Sequence, residues 1–405
     1  MAKSFILLAL AAVLAAATRV PTPTAVVECT PCEALIAALA SPDGKKVVFG
    51  GDAGFGLFDL EKANFTWTND FTDYQSEQEG PFAWSSNDFF AGMAPDGSTT
   101  ETMWGIDAAS GNNTWTLSDD GSMSGVTITS TPGAFYSGDV TFSSLVKVDA
   151  KTGKQLWKHD FPGSYINSLA SAPRHPNVSR AESMMMVQAG NASAWIVGIG
   201  YDAVVAAYDA DSGAKLWAVE NLPTQSQLVA VDHKSQMLFV VGAVDQDGNA
   251  LTYTSVFAYN LTTGAPVWQS NVTVPTANVN IQVFRRWVLL STASSVVAVD
   301  AVTGKQLWVL PAYTPSTNPV PIASAGDWNG TAVLYASVKG TDLTCFPIDQ
   351  LVLPSADAAP APLWSTTLPN DMVASLPPLQ LNTSLIVAVA SSDSTSGFVA
   401  TFTTE

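Results

Sequence analysis

Residues 147–157 read KVDAKTGKQLW, and residues 298–308 read AVDAVTGKQLW, so the chain repeats Asp-x3-Gly-x3-Trp on nearly the same framework. On either side the same spacing recurs, as Asp107-x3-Gly111-x3-Trp115, Asp149-x3-Gly153-x3-Trp157, Asp209-x3-Gly213-x3-Trp217, Asn260-x3-Gly264-x3-Trp268 and Asp300-x3-Gly304-x3-Trp308. A looser copy runs from Asp59 to Trp67 with Ala63 at the glycine position, and Asp349 to Trp364 forms a longer one. Repeats at this scale signify stacked supersecondary units, each unable to bury its apolar face alone.

Each unit reads as β structure. Runs such as 296–299 (VVAV) and 255–259 (SVFAY) precede the Asp, and β-branched and aromatic runs bounded by turn residues are strands. Four residues before the Asp the side chain is always apolar (Phe55, Met103, Leu145, Val205, Val256, Val296, Cys345), which predicts a core-facing column. The Asp-x-x-Thr-Gly stretch is turn chemistry, with Asp accepting backbone N–H bonds and Gly taking a positive φ. The strand after it ends in Trp, whose broad face can pack on a neighbouring unit while its N–H finds an acceptor.

Tryptophan spacings of 40 to 60 residues leave room for four short antiparallel strands, one propeller blade. The expected fold is therefore all-β: an eight-bladed β-propeller of four-stranded antiparallel blades, with seven blades as the alternative. The count rests on the ends. After Trp364, residues 384–389 and 397–402 supply the second and third strands of a last blade, and the N-terminal segment Ala25 to Cys32 would supply the fourth. Pairing the termini would close the ring and hide two sheet edges.

Across 405 residues, 47% are hydrophobic and only 13% charged, with a formal charge of −18. That charge disfavours nucleic acid, whose binding needs Lys and Arg against the phosphates. Residues 1–17 read as a secretory signal peptide: Lys3, an apolar run from Phe5 to Ala17, then small residues. Residues 18–24, with Pro21 and Pro23, read as a linker, and 25–405 as the propeller. An apolar run this short does not span a bilayer, so export without a membrane anchor is expected, as a monomer in the extracellular space. Eight Asn-x-Ser/Thr sequons, at Asn64, Asn112, Asn177, Asn191, Asn260, Asn271, Asn329 and Asn382, predict a glycoprotein.

The repeats at 147–157 and 298–308 closely resemble those of the pyrroloquinoline-quinone-like β-propellers, the quinoprotein alcohol dehydrogenase-like superfamily. The resemblance covers essentially the whole expected mature chain. It implies that Trp67, Trp115, Trp157, Trp217, Trp268, Trp308 and Trp364 dock adjacent blades. The family includes quinoprotein alcohol dehydrogenases and a non-catalytic outer-membrane assembly scaffold, both eight-bladed. The enzymes carry adjacent cysteines over the quinone, which this chain lacks.

Other motifs read as structural. Cys29-Thr-Pro-Cys32 has redox spacing without a βαβ context, and in an exported chain predicts a local disulfide. Cys345 reads as a buried thiol. Asp245-Gln-Asp-Gly-Asn249 departs from the calcium-loop pattern and reads as a polar hairpin turn. His159, His175 and His233 have no zinc-ligand spacing, and Gly50 to Gly56 precedes no helix that would cradle phosphate. No catalytic, cofactor-binding or metal residues are assigned. Trp84, Trp104, Trp195, Trp287 and Trp328 lie outside the docking column, and Trp328, within the polar stretch Asp327 to Gly330, is the expected ligand contact.

The sequence thus predicts a secreted, non-catalytic binding or scaffold protein with a protein or carbohydrate partner. The alternative is a quinone-dependent alcohol or sugar dehydrogenase with a degenerate site.

Overall fold

The computed structural model describes residues 21–30, 32, 35–51, 54–70, 82–95, 101–118, 128–139, 144–160, 166–173, 194–200, 204–220, 222, 225–232, 234–246, 250–274, 279–292, 295–311, 323–328, 330–336, 342–351, 361–368, 373–374, 378–381, 384–390 and 397–403. Short runs of Val, Ala and aromatics broken by turn residues give short strands, and the first, β1 (Pro23–Cys29), stands apart from those that follow it.

Seven blades are each built from four consecutive antiparallel strands. The first holds β2 (Leu35–Ala40), β3 (Lys46–Gly51), β4 (Gly54–Asp59) and β5 (Asn64–Asp70). The second holds β6 (Phe82–Trp84), β7 (Phe89–Pro95), β8 (Glu101–Asp107) and β9 (Asn113–Ser118). The third has β10 (Ile128–Thr131), β11 (Ala134–Asp139), β12 (Ser144–Asp149) and β13 (Gln155–Asp160). The fourth has β14 (Ile166–Pro173), β15 (Ala194–Gly200), β16 (Val204–Asp209) and β17 (Lys215–Val219). The fifth has β18 (Gln225–Asp232), β19 (Met237–Gln246), β20 (Ala250–Asn260) and β21 (Pro266–Val274). The sixth has β22 (Val279–Phe284), β23 (Trp287–Thr292), β24 (Ser295–Asp300) and β25 (Gln306–Pro311). The seventh has β26 (Ser324–Trp328), β27 (Thr331–Ala336), β28 (Asp342–Pro347) and β29 (Trp364–Thr367).

The eighth sheet is five-stranded and woven from both ends of the chain. β30 (Val373–Ala374) and β31 (Leu379–Leu381) pair with β32 (Ser384–Ala390), which pairs with β33 (Gly397–Thr403), and β33 pairs with β1. Val26 faces Ala400 and Val27 faces Val399 in that last ladder. The first strand of each blade touches the first strand of the next in cyclic order, from β2 through β26 to β31, and β32 returns to β2. The expected closure by paired termini is therefore present. β1 begins at Pro23, so it overlaps the last two residues of the expected linker 18–24: Pro23 pairs with Phe402, and the bulged Thr24 donates its Oγ1 hydroxyl to the Thr401 carbonyl at 3.0 Å.

The core lies between blades. Every member of the column four before the Asp is buried: Phe55, Met103, Leu145, Val205, Val256, Val296 and Cys345. Apolar clusters straddle the seams, as where Val205 and Ala207 of the fourth blade meet Leu238, Val240 and Phe257 of the fifth.

Candidate binding surface and blade seams

The repeat turn does what its residues dictate. In the third blade the Asp149 carboxylate accepts backbone N–H bonds from Lys151 (3.1 Å) and Thr152 (2.9 Å) and the Thr152 hydroxyl at 2.7 Å. Asn260 of the fifth blade holds the same three donors. These bonds, led by the Thr152 hydroxyl, outweigh partial burial and hold the Asp149 carboxyl below its ordinary range. Asp107 is lowered in the same way by Ser110. The repeat glycines take φ of +67° to +74°, the left-handed region that a Cβ resists.

Their second task crosses the seam. A Cβ on Gly111, Gly153, Gly264 or Gly304 would come within 2.6–2.7 Å of the indole of Trp67, Trp115, Trp217 or Trp268, each from the preceding blade. The indole N–H then donates to the carbonyl just past the neighbour's Asp or Asn: Trp67 to Ala108 (3.0 Å), Trp115 to Ala150 (2.8 Å), Trp217 to Leu261 (3.0 Å) and Trp268 to Ala301 (3.0 Å). Trp157 is shifted by one residue, to Asp211 at 3.1 Å. The carbonyl it would have used, that of Ala210, already accepts from the Tyr136 hydroxyl (3.0 Å) and the Lys147 ammonium (2.8 Å), which occupy its two lone pairs. Trp308 and Trp364 are docked and buried, but their N–H groups have no partner among the described residues. For Trp308 the neighbouring turn is replaced by a short 3-10 turn, Ile348–Gln350.

A bulge aims these indoles, and no residue of the repeat announces it. In six blades the register slips one residue before the Trp: Lys147 faces Trp157 while Val148 faces Gln155, leaving Leu156 unopposed. Thr66, Thr114, Leu216, Val267 and Leu307 are skipped likewise. A bulge turns the side chains after it, so the Trp leaves the ordinary alternation and Leu156, Leu216 and Val267 are pushed to solvent. Only the shared Gly-x3-Trp spacing hints at it.

The inner strands are fastened by side chains acting as backbone. The Gln282 amide accepts from the Ala325 N–H (2.8 Å) and donates to its carbonyl (3.3 Å), joining β22 to β26. Gln380 on β31 grips Asp327 of β26 in the same two-way manner, and the Tyr335 hydroxyl also donates to it at 3.2 Å. Ser130 of β10 donates to the Trp84 carbonyl of β6.

Several expected site residues fall elsewhere. Trp328 is buried, packed against Trp364 with ring centroids 5.1 Å apart in the seam behind the seventh blade, so it offers no face to a ligand. The polar residues around it misled: Asp327 points outward while Trp328 points into the sheet. Trp84, Trp104 and Trp287 are buried as well, and the Trp195 side chain lies outside the described residues. Cys29 and Cys32 are joined by a disulfide across a tight turn, Cα atoms 5.3 Å apart, in the cluster shared by the closing sheet and the first blade. Cys345 is a buried free thiol, and burial pushes its pKa up. Asn64, Asn112 and Asn271 are exposed on the outer strands and their turns, and Asn260 is half-buried at its turn; Asn177, Asn191, Asn329 and Asn382 lie outside the described residues. His159 is exposed against Trp157, whereas His175, His233 and 247–249 are also outside them. Among the described residues no group of three His, Cys, Asp or Glu is placed to hold a metal ion, and no helix is long and apolar enough to cross a membrane.

Comparison with known proteins gives a consistent picture. The family described as outer membrane protein assembly factor BamB matches residues 105–288 and 201–348, together more than half of the chain. No curated protein matches. Among solved structures, BamB from Moraxella catarrhalis superposes with a TM-score of 0.58 at 12% identity, covering 95% of this chain and 100% of that one. The computationally designed Ika8 protein superposes with a TM-score of 0.60 at 15% identity, covering 93% and 98%. At these identities the structures show a shared fold.

Proposed function

Because the chain belongs to the BamB family of pyrroloquinoline-quinone-like repeat propellers, we infer that it works as a non-catalytic scaffold that binds protein at one mouth of its ring. The observation that carries this reading is the use made of the polar side chains. Gln282, Gln380 and five of the seven docking indoles spend their hydrogen bonds holding blade to blade, while the repeat Asp residues hold their own hairpin turns. Such a frame loses little conformational freedom when it meets a partner, which favours presentation of a fixed surface. The matching family, described as a protein assembly factor, supports the same reading.

The setting we infer is the secretory route, with the chain exported and glycosylated. Four sequon asparagines among the described residues stand on outer strands or their turns, where a glycan would also shield open sheet edges.

Cross-linking the purified chain in extracellular fluid from its native source, followed by mass spectrometry, tests the scaffold reading. A small reproducible set of protein partners is expected. Catalytic reduction of a dye by alcohol or sugar after addition of quinone and calcium would replace this reading with the dehydrogenase one.

A further inference from the structure

On the face that carries the turns between each blade's first and second strands, charges of both signs meet: Asp43 with Lys45 in the first blade, Asp88 in the second, and Asp232 with Lys234 in the fifth. The sixth blade differs in carrying two cations and no acid in its turn. There the turn joining β22 to β23 is Arg285-Arg286, both exposed, and these are the only arginines among the described residues of a chain of formal charge −18.

Three further features mark this corner. Phe284 and Trp287 close the two-residue turn as a facing pair, and Arg285 has φ +55°, a conformation for which such turns use Gly or Asn. A side chain kept where the backbone resists it is a reason to look for a role. Both guanidinium groups lie over buried rings, Arg285 at 5.4 Å from the Phe284 centroid and Arg286 at 5.5 Å from that of Trp287, which orders them before any partner arrives. The Ala301 N–H donates to the Arg286 carbonyl at 2.8 Å, drawing the neighbouring turn alongside, and its Val302 is 73% exposed, the most exposed large hydrophobic residue among those described.

Blade fastening explains part of this. Arg285 pairs with Asp327 of the seventh blade, both about half exposed. It leaves the exposed Val302 unexplained. Arg286 has no carboxylate within ion-pair distance among the described residues; its charge acts on Asp300 from farther off, helping to hold that carboxyl below its ordinary range, while one Asp300 oxygen accepts from the Val302 and Thr303 N–H groups and the Thr303 hydroxyl.

We propose that Arg285, Arg286 and Val302 form the docking point for an acidic, extended segment of a partner protein, a carboxylate pairing with Arg286 and an adjoining apolar side chain covering Val302. This rests on the scaffold reading and gives it an address. Arg is enriched at interface centres, and the fork of Arg286 suits a carboxylate held by two bonds.

The test is fluorescence anisotropy on the full chain with a short labelled peptide of alternating aspartate and leucine, and its lysine–leucine counterpart. The acidic peptide is expected to bind and the basic one not. Arg286→Glu should weaken binding by about tenfold or more, and Val302→Ser by about threefold. Lys62→Glu on the first blade should leave it unchanged, and Arg286→Ala serves if the charge reversal lowers the melting temperature. Absence of binding to the unaltered chain, or binding by Arg286→Glu and Arg286→Ala as tight as by the unaltered chain, overturns the proposal. Sedimentation showing a dimer that Arg286→Glu dissolves would assign the corner to a second copy and also overturn it. Cross-linked partners retained in full by Arg286→Glu would remove this site and leave the scaffold reading standing, whereas peptide binding without any protein partner would remove the scaffold reading alone.

Discussion

The indole of Trp115 rests on Gly153 of the following blade, so close that a Cβ there would meet it at 2.7 Å, while its N–H reaches the Ala150 carbonyl at 2.8 Å. Glycine and tryptophan sit four residues apart in the repeat, yet each finds its partner in an adjoining repeat. The motif is a record of contacts between units.

Gly153→Ala should therefore suffer twice, from φ +67° and from the indole above it. A loss of about 2–4 kcal/mol is expected, combining about 1–2 for the left-handed residue with a similar cost for displacing the ring. Gly133→Ala, at φ +81° with nothing within 4 Å of its Cβ, should lose only the first part. Denaturant midpoints of the two variants measured side by side check this, and equal losses would deny the steric half.

Trp308→Phe should cost less than Trp115→Phe. The second change strands the Ala150 carbonyl, whereas the first removes a buried N–H that has no partner among the described residues. A difference of about 1–2 kcal/mol is expected from the hydrogen-bond asymmetry alone. Thermal melts of both variants decide it; a costlier Trp308→Phe would mean that its N–H is satisfied.

Acid should weaken the ring through its turns. The carboxyls of Asp107 and Asp149 are held below their ordinary value of 3.8 by Ser110 and Thr152, so their contribution is complete above that pH and is lost as pH falls through the lower folded value. Asp149→Asn should keep the turn, as Asn260 does, and flatten the decline in melting temperature as pH falls below about 4. An unchanged slope would show that other carboxylates govern the acid limb.

The seam between the closing sheet and the first blade lacks the docking pair. β1 contains no Trp, and Ala63 occupies the glycine position at φ +48°, tolerated because no indole lies over it. The Cys29–Cys32 disulfide is buried there instead, among Val47, Phe49, Ile386 and Val399. Cys29→Ser with Cys32→Ser should therefore raise hydrogen exchange in β1 and β33 before any other blade. Uniform exchange around the ring would show that the seam holds without it.

The blade was legible because its residues are dictated locally: Asp for the turn, Gly for positive φ, an apolar residue four before. The partner of each Trp was legible only in kind, since nothing in KVDAKTGKQLW states that Leu156 bulges or that Lys147 and Tyr136 displace the Trp157 hydrogen bond. Trp328 misled for a physical reason: in a strand alternate residues face opposite ways, so a polar neighbourhood in sequence says little about one side chain. The Arg285–Arg286 corner was invisible, because two arginines gain meaning only when the fold sets them over Phe284 and Trp287 beside Val302.

A wheel whose last spoke is spun from residues 23–29 and 397–403 is unfinished until the later of the two has been made. Synthesis from the N-terminus leaves residues 23–29 waiting for 397–403, and a chain stopped short by even a single strand would leave the nascent molecule with two raw margins for chaperones to guard.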